Sequence, residues 1–124
     1  MLSKVPSVAF LICSEKGPLE KKSVLFVQSL RKHAGVLKDA PIYSIAPRKD
    51  YPISASTEKL FEELNVSHQN VVLNIEFKDY GLANKILACS YFEKQLDEDI
   101  IVFCDSDLLV LSSIDELILD TGTD

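Results

Sequence analysis

Short apolar runs alternate with longer amphipathic segments along the chain. The runs predict four strands, at residues 7–13, 41–46 and 100–104 and within residues 66–74, where the strand is centred on 71–73. The run SVAFLIC at residues 7–13 has almost no polar position. Such a run is typical of a strand that is buried on both faces, as strands are in a parallel sheet.

The segments between these strands carry charged and apolar residues at helical spacing. They predict helices over residues 19–34, 56–65 and 81–96, and a short capped helix over residues 113–119. Ser56 or Thr57 can cap the second helix, since a hydroxyl there can accept from a backbone N–H of the first turn. The third helix has apolar residues spaced to form one face: Leu82, Ile86, Leu87, Tyr91 and Leu96.

Strands that alternate with helices predict an α/β fold. We expect a single domain over residues 1–124, Rossmann-like, with a mostly parallel sheet and helices on both faces. In such sheets, ligands bind beyond the carboxyl ends of the strands. Asp105 and Asp107, and residues 14–16 after the first strand, are predicted to lie at that edge.

The charge balance narrows the classes of partner. Thirteen Lys and Arg residues against nineteen Asp and Glu residues give a net charge of −6. This weighs against nucleic acid as a partner, because nucleic-acid binding usually needs a basic face. No apolar run reaches the roughly 18 residues of a membrane span. The three cysteines, without a C-x-x-C pair, suggest free thiols in a reducing compartment, so we expect a cytoplasmic protein.

The sequence "VFCDSDLL" places two carboxylates, Asp105 and Asp107, directly after the last predicted strand. Hard oxygen ligands suit Mg²⁺ or Mn²⁺, and a turn at Ser106 would let both side chains reach one ion. A phosphatase of the haloacid-dehalogenase type and a receiver-type acidic pocket also use an aspartate after a strand. Both need a further lysine that follows later in the chain, and too little sequence follows Asp107 to supply those parts.

The segment "VFCDSDLLVLSSIDEL" and the preceding "GLANKILACSYFEKQL" resemble the nucleotide-sugar-dependent glycosyltransferases of the GT-A fold, especially the glycogenin-like and lipopolysaccharide-sugar transferases. The resemblance is specific over residues 81–117. It implies the donor-binding half of such an enzyme, with a nucleotide sugar (a UDP-sugar is expected) held through Mn²⁺ or Mg²⁺ for transfer to an acceptor that the sequence does not identify.

The resemblance also implies roles for the acidic motif. Asp107 would ligate the metal that bridges the two phosphates of the donor. Asp105 would contact the ribose hydroxyls and share the metal, and Ser106 would present its backbone near the sugar.

Two other elements receive roles from the same resemblance. Cys13 and Ser14, at the end of the first strand, would offer main-chain contacts to the base. Lys85 would neutralise charge on the diphosphate or hold the sugar, although arginine is common in the family at that position and is not equivalent to lysine.

The chain departs from the family in its length. Family members continue well past the D-x-D motif into a half that binds the acceptor and supplies another metal ligand, often a histidine, and neither His33 nor His68 lies at a matching place. We therefore expect a chain truncated after the motif. A non-catalytic nucleotide-sugar-binding half-domain, completed by another chain or by self-association, and a remnant without a ligand are the alternatives.

Overall fold

A four-stranded parallel sheet organises the fold in a computed structural model, which describes residues 5–118. The elements in chain order are β1 (Val8–Cys13), α1 (Pro18–His33), β2 (Ile42–Ile45), α2 (Ala55–Glu63), β3 (Val66–Gln69), α3 (Ala83–Gln95) and β4 (Ile100–Phe103), with 3₁₀ turns at Gly35–Leu37 and Asp115–Leu117. The strand order is β3-β2-β1-β4, and all three neighbouring pairs are parallel. The predicted α/β class is confirmed.

Alternate side chains of the central strand β1 divide the core into two layers. Phe10 and Ile12 pack on the face that α1 and α2 cover, where Phe26 and Phe61 are also buried. Leu11 points to the other face, where the buried residues of α3 lie. Because β1 is buried on both faces, its unbroken apolar run is the pattern that a central parallel strand requires.

The third strand lies earlier than predicted. β3 pairs with β2 through Val66–Gln69, and residues 71–73 lie outside the sheet. The backbone N–H groups of Leu73 and Asn74 both donate to the carbonyl oxygen of Pro47, at 2.9 and 3.0 Å. The apolar pattern misled because the paired segment VSHQ is mostly polar, whereas Val71 and Leu73 pack against the core without joining the sheet.

The cap of α2 also differs from the prediction. Ser54, not Ser56 or Thr57, precedes the helix, and its hydroxyl accepts from the Thr57 N–H at 3.4 Å. The Glu20 carboxylate reaches the same serine from α1, accepting from its N–H at 2.7 Å and its hydroxyl at 2.8 Å. One carboxylate therefore joins the starts of the first two helices.

The predicted apolar face of α3 is only partly buried: Tyr91 and Leu96 pack against the core, but the start of the helix does not follow the prediction. Leu82 and Ile86 are 72% and 73% exposed, while Asn84, Ala88 and Phe92 are buried. At 100° per residue, Ile86 lies about 200° around the helix from Asn84. The first turn of α3 has thus placed an amide in the interior and two of the predicted core residues in solvent.

The chain after β4 forms only a 3₁₀ turn at Asp115–Leu117 where a short helix over residues 113–119 was predicted, and residue 119 lies outside the described residues. Within residues 5–118, no helix is both long and apolar enough to cross a membrane. Cys13, Cys89 and Cys104 are all free thiols.

Candidate functional site

A cavity of about 540 Å³ opens at the carboxyl ends of β1 and β4. It is lined by Cys13, Glu15, Leu19, Arg48, Gly81, Leu82, Asn84, Lys85, Phe103, Cys104, Asp105, Ser106 and Asp107. Five of the six predicted site residues therefore lie around one cavity, and Ser14 is the exception. The position agrees with the rule that ligands bind beyond the carboxyl ends of parallel strands.

The two aspartates leave the sheet at a turn. The N–H of Cys104 still donates to the Leu11 carbonyl at 2.9 Å, so pairing with β1 continues to the residue before the motif. Leu108 then donates to the Asp105 carbonyl at 3.3 Å and closes a turn around Ser106 and Asp107. Both carboxylates are exposed on the cavity, and neither faces the apolar interior.

Lys85 lies across the cavity in the first turn of α3. Its Nζ is 5.2 Å from the centroid of the Phe103 ring, within the range of a cation–π contact. Phe103 is the last residue of β4, two positions before Asp105. The end of β4 therefore presents both the acidic motif and the ring against which the ammonium group rests.

Cys13 and Ser14 occupy different environments although they are neighbours. Cys13 lines the cavity, and burial together with nearby Glu15 raises the pKa of its thiol to about 12, so it is protonated at neutral pH. Ser14 is fully buried and its N–H donates to the Ile45 carbonyl at 3.0 Å, which leaves that N–H committed to the sheet. Its hydroxyl has no hydrogen-bond partner among the described residues.

An ion pair between buried Glu15 and half-buried Arg48 lines the cavity, and it was not predicted from the sequence. Glu15 is 3% exposed, and its carboxylate accepts from Arg48 Nη2 at 2.7 Å, from Nε at 2.9 Å and from the Arg48 backbone N–H at 3.1 Å. The guanidinium lies 4.0 Å from the centroid of the Tyr51 ring and donates to the Lys78 carbonyl at 3.0 Å. Glu15 and Arg48 are 33 positions apart, so nothing in the local sequence indicates the pair.

Two buried amides extend this polar network into α3. Asn84 Nδ2 donates to Glu15 Oε1 at 2.9 Å, and Asn84 Oδ1 accepts from Asn74 Nδ2 at 2.8 Å. Asn74 Oδ1 in turn accepts from the Phe77 N–H at 3.1 Å. The loops after β1 and β2 and the segment before α3 are thereby joined to the first turn of that helix.

The charged side chains around the cavity carry a small negative excess. Three carboxylates (Glu15, Asp105 and Asp107) face two cationic groups (Arg48 and Lys85), a net charge of −1. Because Glu15 and Arg48 neutralise each other, the aspartates and Lys85 determine what the open part of the site attracts. Carboxylate oxygens are ligands that Mg²⁺ and Mn²⁺ prefer.

The number of candidate protein ligands fits a cation that is also bound by waters and substrate phosphates. Within residues 5–118, no cluster of three or more His, Cys, Asp or Glu side chains could hold a metal. Mg²⁺ is commonly bound through one or two carboxylates, with waters and substrate phosphates completing its shell. Asp105 and Asp107 fit that arrangement, and they do not form an all-protein cage.

A comparison with family models identifies the family of the chain. No curated protein matches the chain. A family model described as a Rhodobacterales glycosyltransferase domain matches residues 10–123, a range that begins within β1 and includes the other three strands and the whole cavity lining. The match extends over most of the sequence. The chain therefore belongs to the Rhodobacterales glycosyltransferase domain family.

Proposed function

We propose that this glycosyltransferase domain binds a nucleotide sugar, a UDP-sugar, through Mn²⁺ or Mg²⁺ held by Asp105 and Asp107. The observation that carries the proposal is the placement of both aspartates and Lys85 around one cavity at the carboxyl edge of the sheet. Family membership supports sugar transfer as the activity, and hence a sugar donor and an acceptor. It favours an enzyme over a module that only binds.

Each residue at the cavity takes a distinct part in this proposal. Asp107 would ligate the cation beside the donor diphosphate, and Asp105 would contact the ribose hydroxyls and share the cation. Ser106 presents its backbone to the sugar, and the main chain of Cys13 contacts the base. Lys85 provides the fixed positive charge beside the diphosphate.

The chemistry needs stabilisation of a leaving group. When the bond between the sugar and the phosphate oxygen breaks, its electron pair stays on the nucleoside diphosphate, and the acceptor hydroxyl forms the new bond to the sugar and loses its proton. A bound divalent cation supplies Lewis-acid stabilisation of that diphosphate. The ammonium of Lys85 adds a preorganised charge on the same side, where it offsets the negative charge as it develops.

Binding of UDP with Mn²⁺ tests the donor site. Isothermal titration calorimetry should detect UDP binding in Mn²⁺ and none in EDTA. Asp107→Asn should weaken binding by about tenfold or more, because it removes a charged ligand from a cation with few protein ligands. The matched control is Asp97→Asn, an identical change at an exposed residue that precedes β4 at the other end of the strand.

The possible outcomes separate the candidate functions. If UDP gives no heat with millimolar Mn²⁺, or if both variants bind like the wild type, the donor site proposed here is wrong. If binding is present, release of UDP from UDP-sugars, with and without candidate acceptors, measures turnover. Binding without turnover would favour the half-domain that holds a donor and needs another chain.

A further inference from the structure

The first turn of α3 is joined to the interior by polar contacts. Apolar spacing alone would bury Leu82 and Ile86, which are instead 72% and 73% exposed. Asn84, which is 5% exposed, occupies the interior position in the first turn. Burying an amide in place of two aliphatic side chains is unfavourable unless its nitrogen and oxygen both have hydrogen-bond partners.

The hydrogen bonds of Asn84 meet that condition. Its Nδ2 donates to Glu15 Oε1 and its Oδ1 accepts from Asn74 Nδ2, at 2.9 and 2.8 Å, and both partners are themselves buried. Glu15 is held in turn by the guanidinium of Arg48. The amide therefore joins α3 to two loops that the rest of the network fixes.

The residue that follows Asn84 is Lys85, and its position depends on the same rotation. Adjacent residues on a helix are 100° apart, so an inward Asn84 turns Lys85 toward the cavity and the end of β4. There its Nζ lies over the Phe103 ring. We propose that Asn84, supported by Glu15, is a positioning residue that fixes the rotation of α3 and so holds Lys85 at the donor diphosphate. The role of Lys85 rests on the proposed function.

The first test needs no nucleotide. The protein is labelled with ¹³Cε-lysine and studied by NMR, and the Lys85 signal is assigned by its loss in Lys85→Arg. The ring current of Phe103 should shift this signal. Asn84→Ala should move this signal toward the position of an exposed lysine, as Phe103→Leu does. Phe92→Leu, a change at the buried face of α3 outside the network, should lower stability and leave the signal in place.

The second test couples the two residues through UDP and Mn²⁺ binding. Asn84→Ala and Lys85→Met should each weaken UDP binding several-fold, and the double variant should bind no more weakly than Lys85→Met within a factor of two. If the two substitutions weaken UDP binding by factors that multiply in the double variant, Asn84 acts independently of Lys85. If the Lys85 signal is unchanged in Asn84→Ala, Asn84 does not position Lys85. Either result overturns the proposal.

The two tests distinguish a failure of this proposal from a failure of the proposed function. If the wild type binds no UDP, the proposed function fails, and the lysine signal still decides whether Asn84 positions Lys85. If Asn84→Ala does not fold, Glu15→Gln replaces it in both tests. Glu15→Gln keeps the shape of the side chain and removes the charge that the Arg48 and Asn84 donors share, so it should move the Lys85 signal in the same direction.

Discussion

Glu20→Gln should destabilise the protein at neutral pH and lose that effect in acid. The carboxylate accepts from Ser54 at 2.7 and 2.8 Å and from the Gly17 N–H at 3.2 Å, and so joins the start of α1 to the cap of α2. Burial alone would raise the pKa of Glu20, but the hydrogen bonds donated by Ser54, Thr57 and Gly17 outweigh it and lower the pKa from 4.5 to about 2.

The magnitude follows from this shift. The difference between 4.5 and about 2 is roughly 2.5 pKa units, which at about 1.36 kcal/mol per unit gives a limit near ~3.4 kcal/mol for a fully shielded group. Glu20 is only half-buried, so solvent screening reduces the expected contribution to the order of 1 kcal/mol. Because the folded-state pKa lies below the unfolded one, this stability is present above pH 4.5 and disappears as the pH falls toward 2.

Urea denaturation followed by circular dichroism measures the effect. The difference in unfolding free energy between wild type and Glu20→Gln should be on the order of 1 kcal/mol at pH 7 and should approach zero near pH 2. Glu76→Gln, at an exposed position, controls for the loss of one negative charge. A difference of equal size at both pH values would refute the electrostatic explanation and assign the effect to shape.

Two further predictions concern metal binding and the hydrogen bonds of Arg31. Because Asp105 and Asp107 are the two carboxylates proposed as ligands and Glu15 is paired with Arg48, Mn²⁺ alone should bind in about the millimolar range. UDP should strengthen Mn²⁺ binding by about tenfold or more, and Mn²⁺ should strengthen UDP binding by the same factor. Electron paramagnetic resonance of free Mn²⁺ measures this, and micromolar Mn²⁺ binding unaffected by UDP would contradict it. Arg31→Lys should lower the unfolding free energy by about 2 kcal/mol, because the guanidinium donates to four carbonyls (Leu64, Lys38, Ala40 and Asn65) and an ammonium cannot reproduce that fork. The urea midpoint measures the loss, and an unchanged midpoint would contradict it.

The parallel sheet and the two aspartates at its carboxyl edge could be predicted because both depend on short local stretches of sequence. The run at β1 has the composition of a strand buried on both faces, and Asp105 and Asp107 follow the last strand directly. Parallel strands place their carboxyl ends together, so the meeting of Cys13 with the aspartates follows from the fold class. Lys85 was predicted from a resemblance; it lies in the cavity lining, and its role there stays a prediction.

The polar network could not be predicted, because it consists of pairs that are distant in sequence. Glu15 reaches Arg48 over 33 positions and Asn84 over 69. In the sequence each of these side chains resembles an ordinary solvated residue in a turn or on a helix. The prediction of the third strand at residues 71–73 was wrong for the same reason. Apolar character predicts burial, but it does not say which backbone groups will pair.

The errors of the apolar pattern converge on the cavity. The misplaced strand residues lie just before Asn74, and the misjudged helix face surrounds Asn84, so both errors occur where the network replaces apolar packing. At the opposite face, α1 and α2 bury aliphatic and aromatic side chains. A buried ion pair adds little stability compared with an apolar replacement of the same volume. The pair of Glu15 and Arg48 is therefore better explained by the need to hold the groups around the cavity in place. Sequences depart from their local preferences mainly at functional sites.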